Sequence, residues 1–494
     1  MKNPISFIRR HFLAMISGGV AAVCSPSFAK GAKEERSSWN EVFDVVVIGS
    51  GGAGLTAAIE AADAGSSCVV LEKCAVIGGN TRLADAMNAV DPEQQAKQGI
   101  EDSIEKHTRQ TLSNGAYRAD PKRVERVTAS ALETLNWLKA QGVEFADEVY
   151  QVYSSLWPRT HNTVRPAYEG YIAPLVAGCE KRGVAIRPDH QVVRIIREED
   201  GSVLGVEVKT GGETRRIRAL KGVVVAAGGF SANAAMHSKY NPKLASLHST
   251  NHSGATGDLF GPLEDIGAAL IDMEFFQLLP GSARNGQFVG AISPIESVIM
   301  VNRNGERFIA EDAPGDEFIN AVLASPGNIS YLIRDAKGYR EGMKPTSREA
   351  FDRGLAAGDT FSASSLKELA LKIQVPSENL IRTIDKYNKA VFDRKRGVKD
   401  AAPDEFGRSP ETLQMPIQIA PFYAARIAPS VNVSLGGLSI TEDAEVLDRR
   451  GCVIPHLYAA GEVTGGFHGA SMMGGNSLTE VFVMGRIAGK SASK

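Results

Sequence analysis

The chain has 494 residues, 43% of them hydrophobic and 23% charged, with a net charge of −2. That is enough chain for two or three domains with cores of their own. A balanced charge without a long basic run excludes a nucleic-acid binder. The five cysteines form no C-x-x-C pair, which excludes a zinc ribbon, a thioredoxin-type site and covalently attached haem, and no metal is expected.

The N-terminus reads as a targeting segment. Arg9-Arg10-His11-Phe12-Leu13 has the layout of a twin-arginine export signal, followed by the apolar run Phe12–Cys24 and by Ser27-Phe28-Ala29, a small-x-small cleavage site. Residues 1–29 are therefore expected to be a signal peptide cut after Ala29, and 30–41 a polar tether. The apolar run is too short for the roughly 20 residues that span a bilayer, so no stable membrane span is expected. Export in the folded state suits an enzyme that collects its cofactor in the cytoplasm.

The stretch 43–80 organises the rest. Phe43–Ile48 is a short, β-branched apolar run, the pattern of a strand buried on both faces. Gly49, Gly51 and Gly54 make G-x-G-x-x-G, a helical pattern follows to Ala64, and Gly65 stops it. A second apolar strand, Cys68–Leu71, ends in Glu72. Gly49 permits the tight turn, Gly51 makes room for a pyrophosphate, and Gly54 lets helix and strand pack closely. The helix N-terminus holds the phosphates and Glu72 accepts from ribose hydroxyls, which disfavours a 2′-phosphate and hence NADP. The motif alone leaves FAD and NAD both open.

Further along, Arg123–Gln141 is amphipathic and stops at Gly142, and Tyr171–Lys181 fits a helix closed by Gly183. From Val184 to Ala219 the period drops to two, as in a β-meander, feeding the buried strand Val223–Ala227 and its two glycines. Thr256-Gly257-Asp258 is a second glycine-rich loop. Residues 275–415 lack buried βαβ signals and read as an insertion. The chain regains nucleotide-domain character over 416–494, where Gly474-Gly475-Asn476-Ser477-Leu478 opens a closing helix, another ready anion or carbonyl site.

Together, VVVIGSGGAG, LEK…IGGN, VVVAAGGF, NHSGATGD, LYAAGEVTGGFHGA and GGNSLTEVFVMGRIAG resemble the fumarate reductase/succinate dehydrogenase flavoprotein superfamily. The likeness is greatest to the exported flavocytochrome c-type fumarate and urocanate reductases, without their haem domain, and runs from about Val42 to the C-terminus. It implies an α/β fold: a Rossmann-type FAD-binding domain (42–274 and 416–494) carrying an inserted α+β capping domain (275–415). It also implies non-covalent FAD. By position, Gly49, Gly51, Ala53 and Gly54 match the flavin contacts of the family, as do Glu72, Lys73, Gly79, Asn80 and Thr81. Val192, Asp258, Glu462, Ser477 and Leu478 complete the set, with His468 as a supporting residue. With no haem of its own, the chain would draw electrons from a separate donor such as a periplasmic cytochrome.

The substrate positions depart from the family. The arginine that gives the proton in fumarate reductases falls on Gly315, just after Arg307-Phe308-Ile309-Ala310-Glu311. Its relay partners fall near Ala291 and Pro294, and the substrate-carboxylate groups become Leu279, Asn432 and Met472. A buried carboxylate without a cationic partner costs several kcal/mol, so fumarate is not the expected substrate. Leu279, Gly315 and Met472 instead outline a larger, less positive pocket for an unsaturated carbonyl compound. Tyr168 is the candidate proton donor, with a packing tyrosine as the other reading. Asn432 is either a ligand for a carbonyl oxygen or a loop amide. The stretch Glu311–Asp316 also resembles 3-oxosteroid 1-dehydrogenases, though their tyrosine is replaced by Gly315. An enzyme of that type, or a flavin-binding protein without turnover, are the alternatives to an ene-reductase.

Overall fold

The computed structural model describes residues 39–152, 155–165, 168–282, 295–313, 315–343, 345–397 and 404–494. The export signal, the cleavage site, Ala291 and Pro294 lie outside these residues.

The first strand, β1 (Glu41–Ile48), is the centre of a large sheet. It runs parallel to β2 (Cys68–Leu71) on one side and to Glu213–Val225 on the other, with Ile48 level with both Leu71 and Val225. From edge to edge the order is Glu445–Leu447, Val453–Ala459, Glu213–Val225, β1, β2 and Ala185–Arg187. Val45, Val46 and Val47 are wholly buried, which is why the run is continuously apolar rather than alternating. The expected meander is present as Gln191–Arg197 and Val203–Thr210, laid antiparallel against the start of Glu213–Val225. Helix α1 (Gly52–Asp63) and the C-terminal helix Asn476–Ala492 pack against each other on this sheet. A Cβ at Gly489 would sit 2.2 Å from the Ala57 carbonyl oxygen, so the two helices meet backbone to backbone.

A second, five-stranded antiparallel sheet is built from Ile299–Val301, Ser330–Arg334, Phe422–Ser434, Phe276–Ser282 and Thr360–Ala363. Side chains alternate across it. Ile299, Val301, Tyr331 and Ile333 pack under helices Leu366–Ile373 and Ser377–Lys395. Met300 and Leu332 join Phe318 and Phe351 on the opposite face. The α+β character of the insertion is as expected, but its sheet does not stop at the expected 415/416 boundary. Phe422–Ser434 is the strand on which three others pair, and it returns the chain to the nucleotide-binding sheet only at its end.

A buried ion cluster closes the insertion. Arg307 reaches Glu311 at 2.7 Å and Asp404 at 2.7 Å, and Arg408 reaches Glu311 at 3.0 Å. The R-F-x-x-E stretch therefore has a structural duty independent of any substrate.

Candidate active site

The glycines after β1 divide their work. A Cβ at Gly49, whose φ is +102°, would lie 2.3 Å from the Ala226 carbonyl oxygen. A Cβ at Gly54 would lie 2.0 Å from the Gly49 carbonyl oxygen. These two close the turn and seat the helix. At Gly51 the nearest atoms would be 3.9 Å away, and the space it leaves open belongs to a cavity of about 900 Å3. Gly49, Gly51, Ala53, Glu72, Lys73 and Gly79 all line this cavity, whereas Gly54 does not.

Around the mouth of α1 the polar groups are held in place. The Gly52 amide donates to the Thr81 hydroxyl at 3.0 Å. The Glu72 carboxylate accepts from the Ser50 amide and hydroxyl at 3.0 and 2.6 Å, and from the Cys74 amide at 2.8 Å. Lys73 Nζ meets Asp258 at 2.6 Å. Against the upward pull of burial, hydrogen bonds from Lys73 and Thr256 hold the Asp258 carboxyl below its usual value.

Asn80, Thr81, Val192, Asp258, Glu462, Ser477 and Leu478 also line the cavity. Asn80 donates to Glu462 at 2.9 Å, and Ser434 donates to it through its amide at 3.2 Å and its hydroxyl at 3.1 Å. Burial nonetheless raises the Glu462 carboxyl above its usual range. The Gly254 amide donates to His252 Nδ1 at 2.9 Å, so the ring, kept neutral by burial, carries its proton on Nε2. Ser477 and Leu478 begin the C-terminal helix behind Gly475. Asn88 ties that turn down, donating to the Gly474 carbonyl at 2.7 Å and to Asn476 at 2.9 Å.

The other end of the cavity faces the second sheet. Leu279, Met472 and Asn432 line it. Asn432 donates one amide hydrogen to the Thr250 hydroxyl at 2.7 Å. Gly315 opens helix Gly315–Ala324. Tyr168 is not brought to the cavity: its ring lies under the Arg82 guanidinium at 5.4 Å and packs on the nucleotide-domain core. His468 also lies off the lining, and burial drives its imidazole down to about 3, leaving it neutral. Sequence reading missed Ser282, Arg353 and Asp359, which enter the cavity from the second sheet and its helix. The only available signal was the amphipathic pattern of that helix, which does not tell which face meets a cavity.

Residues 44–478 match the model of a family described as FAD binding domain. The chain is 32% identical to "Fumarate reductase (cytochrome)" of Shewanella frigidimarina, over 95% of this chain and 81% of that protein. The chain belongs to the FAD-binding family of the fumarate reductase flavoproteins. Another member, "NADH:fumarate oxidoreductase" of Klebsiella pneumoniae, is 38% identical over 92% of this chain and 48% of its own length. The chain thus spans about half of that relative, and 52% of "NADH:acrylate oxidoreductase" of Vibrio harveyi, to which it is 34% identical. Among solved structures, the open conformation of a flavocytochrome c3 fumarate reductase superposes with a TM-score of 0.81 at 29% identity, covering 92% of this chain and 78% of that one. A 3-ketosteroid-Δ4-(5α)-dehydrogenase of Rhodococcus jostii superposes with a TM-score of 0.73 at 27% identity, covering 95% and 99%.

FAD is the cofactor of this flavoprotein, and the residues present fit it. The open space at Gly51, beside the first amides of α1, suits a pyrophosphate. Glu72 at the end of β2 is placed for the ribose. Asn80, Glu462 and the N-terminus of the C-terminal helix are polar groups lining the same cavity that could hold the rest of the cofactor.

Proposed function

We propose that this flavoprotein is an exported ene-reductase that reduces a carbon–carbon double bond conjugated to a carbonyl, and that its substrate is not fumarate. The observation that carries the reading is the wall opposite the flavin cradle, where Leu279, Met472 and the Asn432 amide stand together at positions that resemble the dicarboxylate clamps of the family. Bound FAD supplies a hydride at N5. Leu279 and Met472 exclude water from the reacting bond and receive an apolar substrate body. The second amide hydrogen of Asn432, left after its bond to Thr250, meets the substrate carbonyl oxygen as negative charge grows there. Relatives named for fumarate and acrylate reduction support the reaction type. Electrons reach this flavin from a separate donor, for which the relative named "Fumarate reductase (cytochrome)" is a precedent. The twin-arginine leader places the folded, FAD-loaded protein outside the cytoplasm. No helix among the described residues is long and apolar enough to cross a membrane.

A second reading, a dehydrogenase of the 3-oxosteroid type working in the opposite direction, is favoured by the full-length match to the Rhodococcus jostii enzyme. Gly315 in place of its tyrosine counts against it. Anaerobic oxidation of reduced viologen over a panel of unsaturated acids, esters and ketones, beside reduction of an oxidised dye by saturated 3-oxosteroids, separates the readings. Reduction of aryl enones or arylacrylates with no response to fumarate is the expected result. Activity confined to fumarate, or to steroid oxidation, overturns the proposal, and a flavin inert to the whole panel marks a binding protein without turnover.

A further inference from the structure

The cavity does not end at Leu279. Along the second sheet, Ser434, which bonds Glu462, is level with Phe276, Leu279 is level with Ser430, and Ser282 is level with Ile427. Leu279 and Ser282 both line the cavity. Ser282 is therefore three residues, or about 10 Å, farther from the Glu462 end than Leu279 is. At that far end, helix Pro345–Ala357 contributes Arg353, Gly354 and Ala357, spaced so that one face of its last turns meets the cavity. Phe351 of the same helix points the other way into the core.

The charges at this end do not balance. Asp359 is already occupied: it accepts from the Ser282 hydroxyl at 2.6 Å and from Arg426 at 3.1 Å. At the nucleotide end Lys73 is paired with Asp258. Arg353 lines the cavity, is open to solvent and, among the described residues, has neither an ion-pair nor a hydrogen-bond partner. Its guanidinium is a planar, permanently charged fork whose geometry matches a carboxylate.

We propose that Arg353 is a specificity-determining residue that binds a carboxylate-type anionic group at the end of the substrate remote from the reacting double bond. This rests on the ene-reductase reading and narrows it. The substrate is an elongated molecule, with its unsaturated carbonyl at the Asn432 end, an apolar body along Leu279, and an anion at the far end. A compact dicarboxylate cannot satisfy both ends.

The test compares 4-phenyl-3-buten-2-one with the same ketone carrying a para-carboxylate. Both are titrated against the oxidised holoenzyme by flavin absorbance perturbation and assayed as oxidants of the reduced enzyme. The wild type should prefer the carboxylate about tenfold or more, chiefly in Kd and KM rather than kcat. Arg353→Met should abolish that preference, and Arg353→Lys should restore part of it. A wild type that treats both ketones alike, or a preference that survives Arg353→Met, overturns the assignment while leaving the ene-reductase reading intact. If neither compound binds or reoxidises the flavin while other enones do, the elongated-substrate assignment fails alone. If no unsaturated carbonyl compound reoxidises it, the underlying reading fails as well.

Discussion

At the scale of single residues, the glycines of the first turn give the sharpest contrast. A methyl group at Gly54 would meet the Gly49 carbonyl oxygen at 2.0 Å, against backbone that cannot step aside, whereas one at Gly51 would meet nothing closer than 3.9 Å. Gly54→Ala is therefore expected to destabilise the fold by about 1–3 kcal/mol. Gly51→Ala should leave the apoprotein's thermal stability unchanged and lower its FAD content after gel filtration. Equal FAD retention in Gly51→Ala and wild type would show that the open space is not where the cofactor passes. Glu480, buried in the C-terminal helix, makes a pH prediction. Burial raises its carboxyl from 4.5 to about 7, despite the nearby Arg123 charge and a hydrogen bond from Thr464. Between those pH values the folded state binds more protons than the unfolded one, so this group's contribution, up to about 3 kcal/mol, is full below 4.5 and lost as pH rises through 7. Glu480→Gln should flatten the fall of Tm between pH 5 and 8; an unchanged slope would exclude Glu480 as its source. Much of the residue-level site was legible because each flavin position sits in a short local motif. The surroundings of Tyr168 were not legible for the complementary reason: its partner, Arg82, is 86 positions away and nothing local announces that contact.

The elements divide along the same line. The strand–glycine–helix–strand unit could be read directly, because continuous apolar runs and glycine stops are local signals. The far edge of the insertion could not. Phe422–Ser434 reads like a return to the nucleotide domain, yet its register with Phe276–Ser282, Ser330–Arg334 and Thr360–Ala363 is set by pairing over long sequence separations. Helix Pro345–Ala357 was equally opaque, since amphipathicity does not reveal that one face lines a cavity. Within the insertion, the Arg307–Glu311–Arg408–Asp404 cluster joins residues 295–311 to 404–412. Arg408 donates to the carbonyls of Val298, Ile295 and Thr412 at 2.9, 2.6 and 2.8 Å as well as to Glu311. Arg408→Met strands these acceptors and is expected to cost the insertion about 3–5 kcal/mol, seen as an earlier denaturation midpoint. A midpoint equal to the wild type's would mean that the cluster is dispensable.

At the scale of the whole molecule, two sheets built on different principles enclose one cavity: a largely parallel sheet that cradles the nucleotide, and an antiparallel one that presents the substrate wall. Keeping the first while altering the second changes the substrate without touching the cofactor. The proposed export belongs to this scale too. Arg9→Lys with Arg10→Lys is expected to trap the FAD-loaded protein in the cytoplasm, and unchanged secretion of the mature form would show that the paired arginines are incidental. The central claim is that this cavity has exchanged dicarboxylate clamps for an apolar wall. Its most direct measurement is a single turnover: the photoreduced holoenzyme is mixed without oxygen with fumarate or with an aryl enone, and the return of oxidised flavin is followed. Reoxidation by the aryl enone, and none by fumarate beyond the buffer control, is the expected result. Reoxidation by fumarate at an equal or greater rate would contradict it.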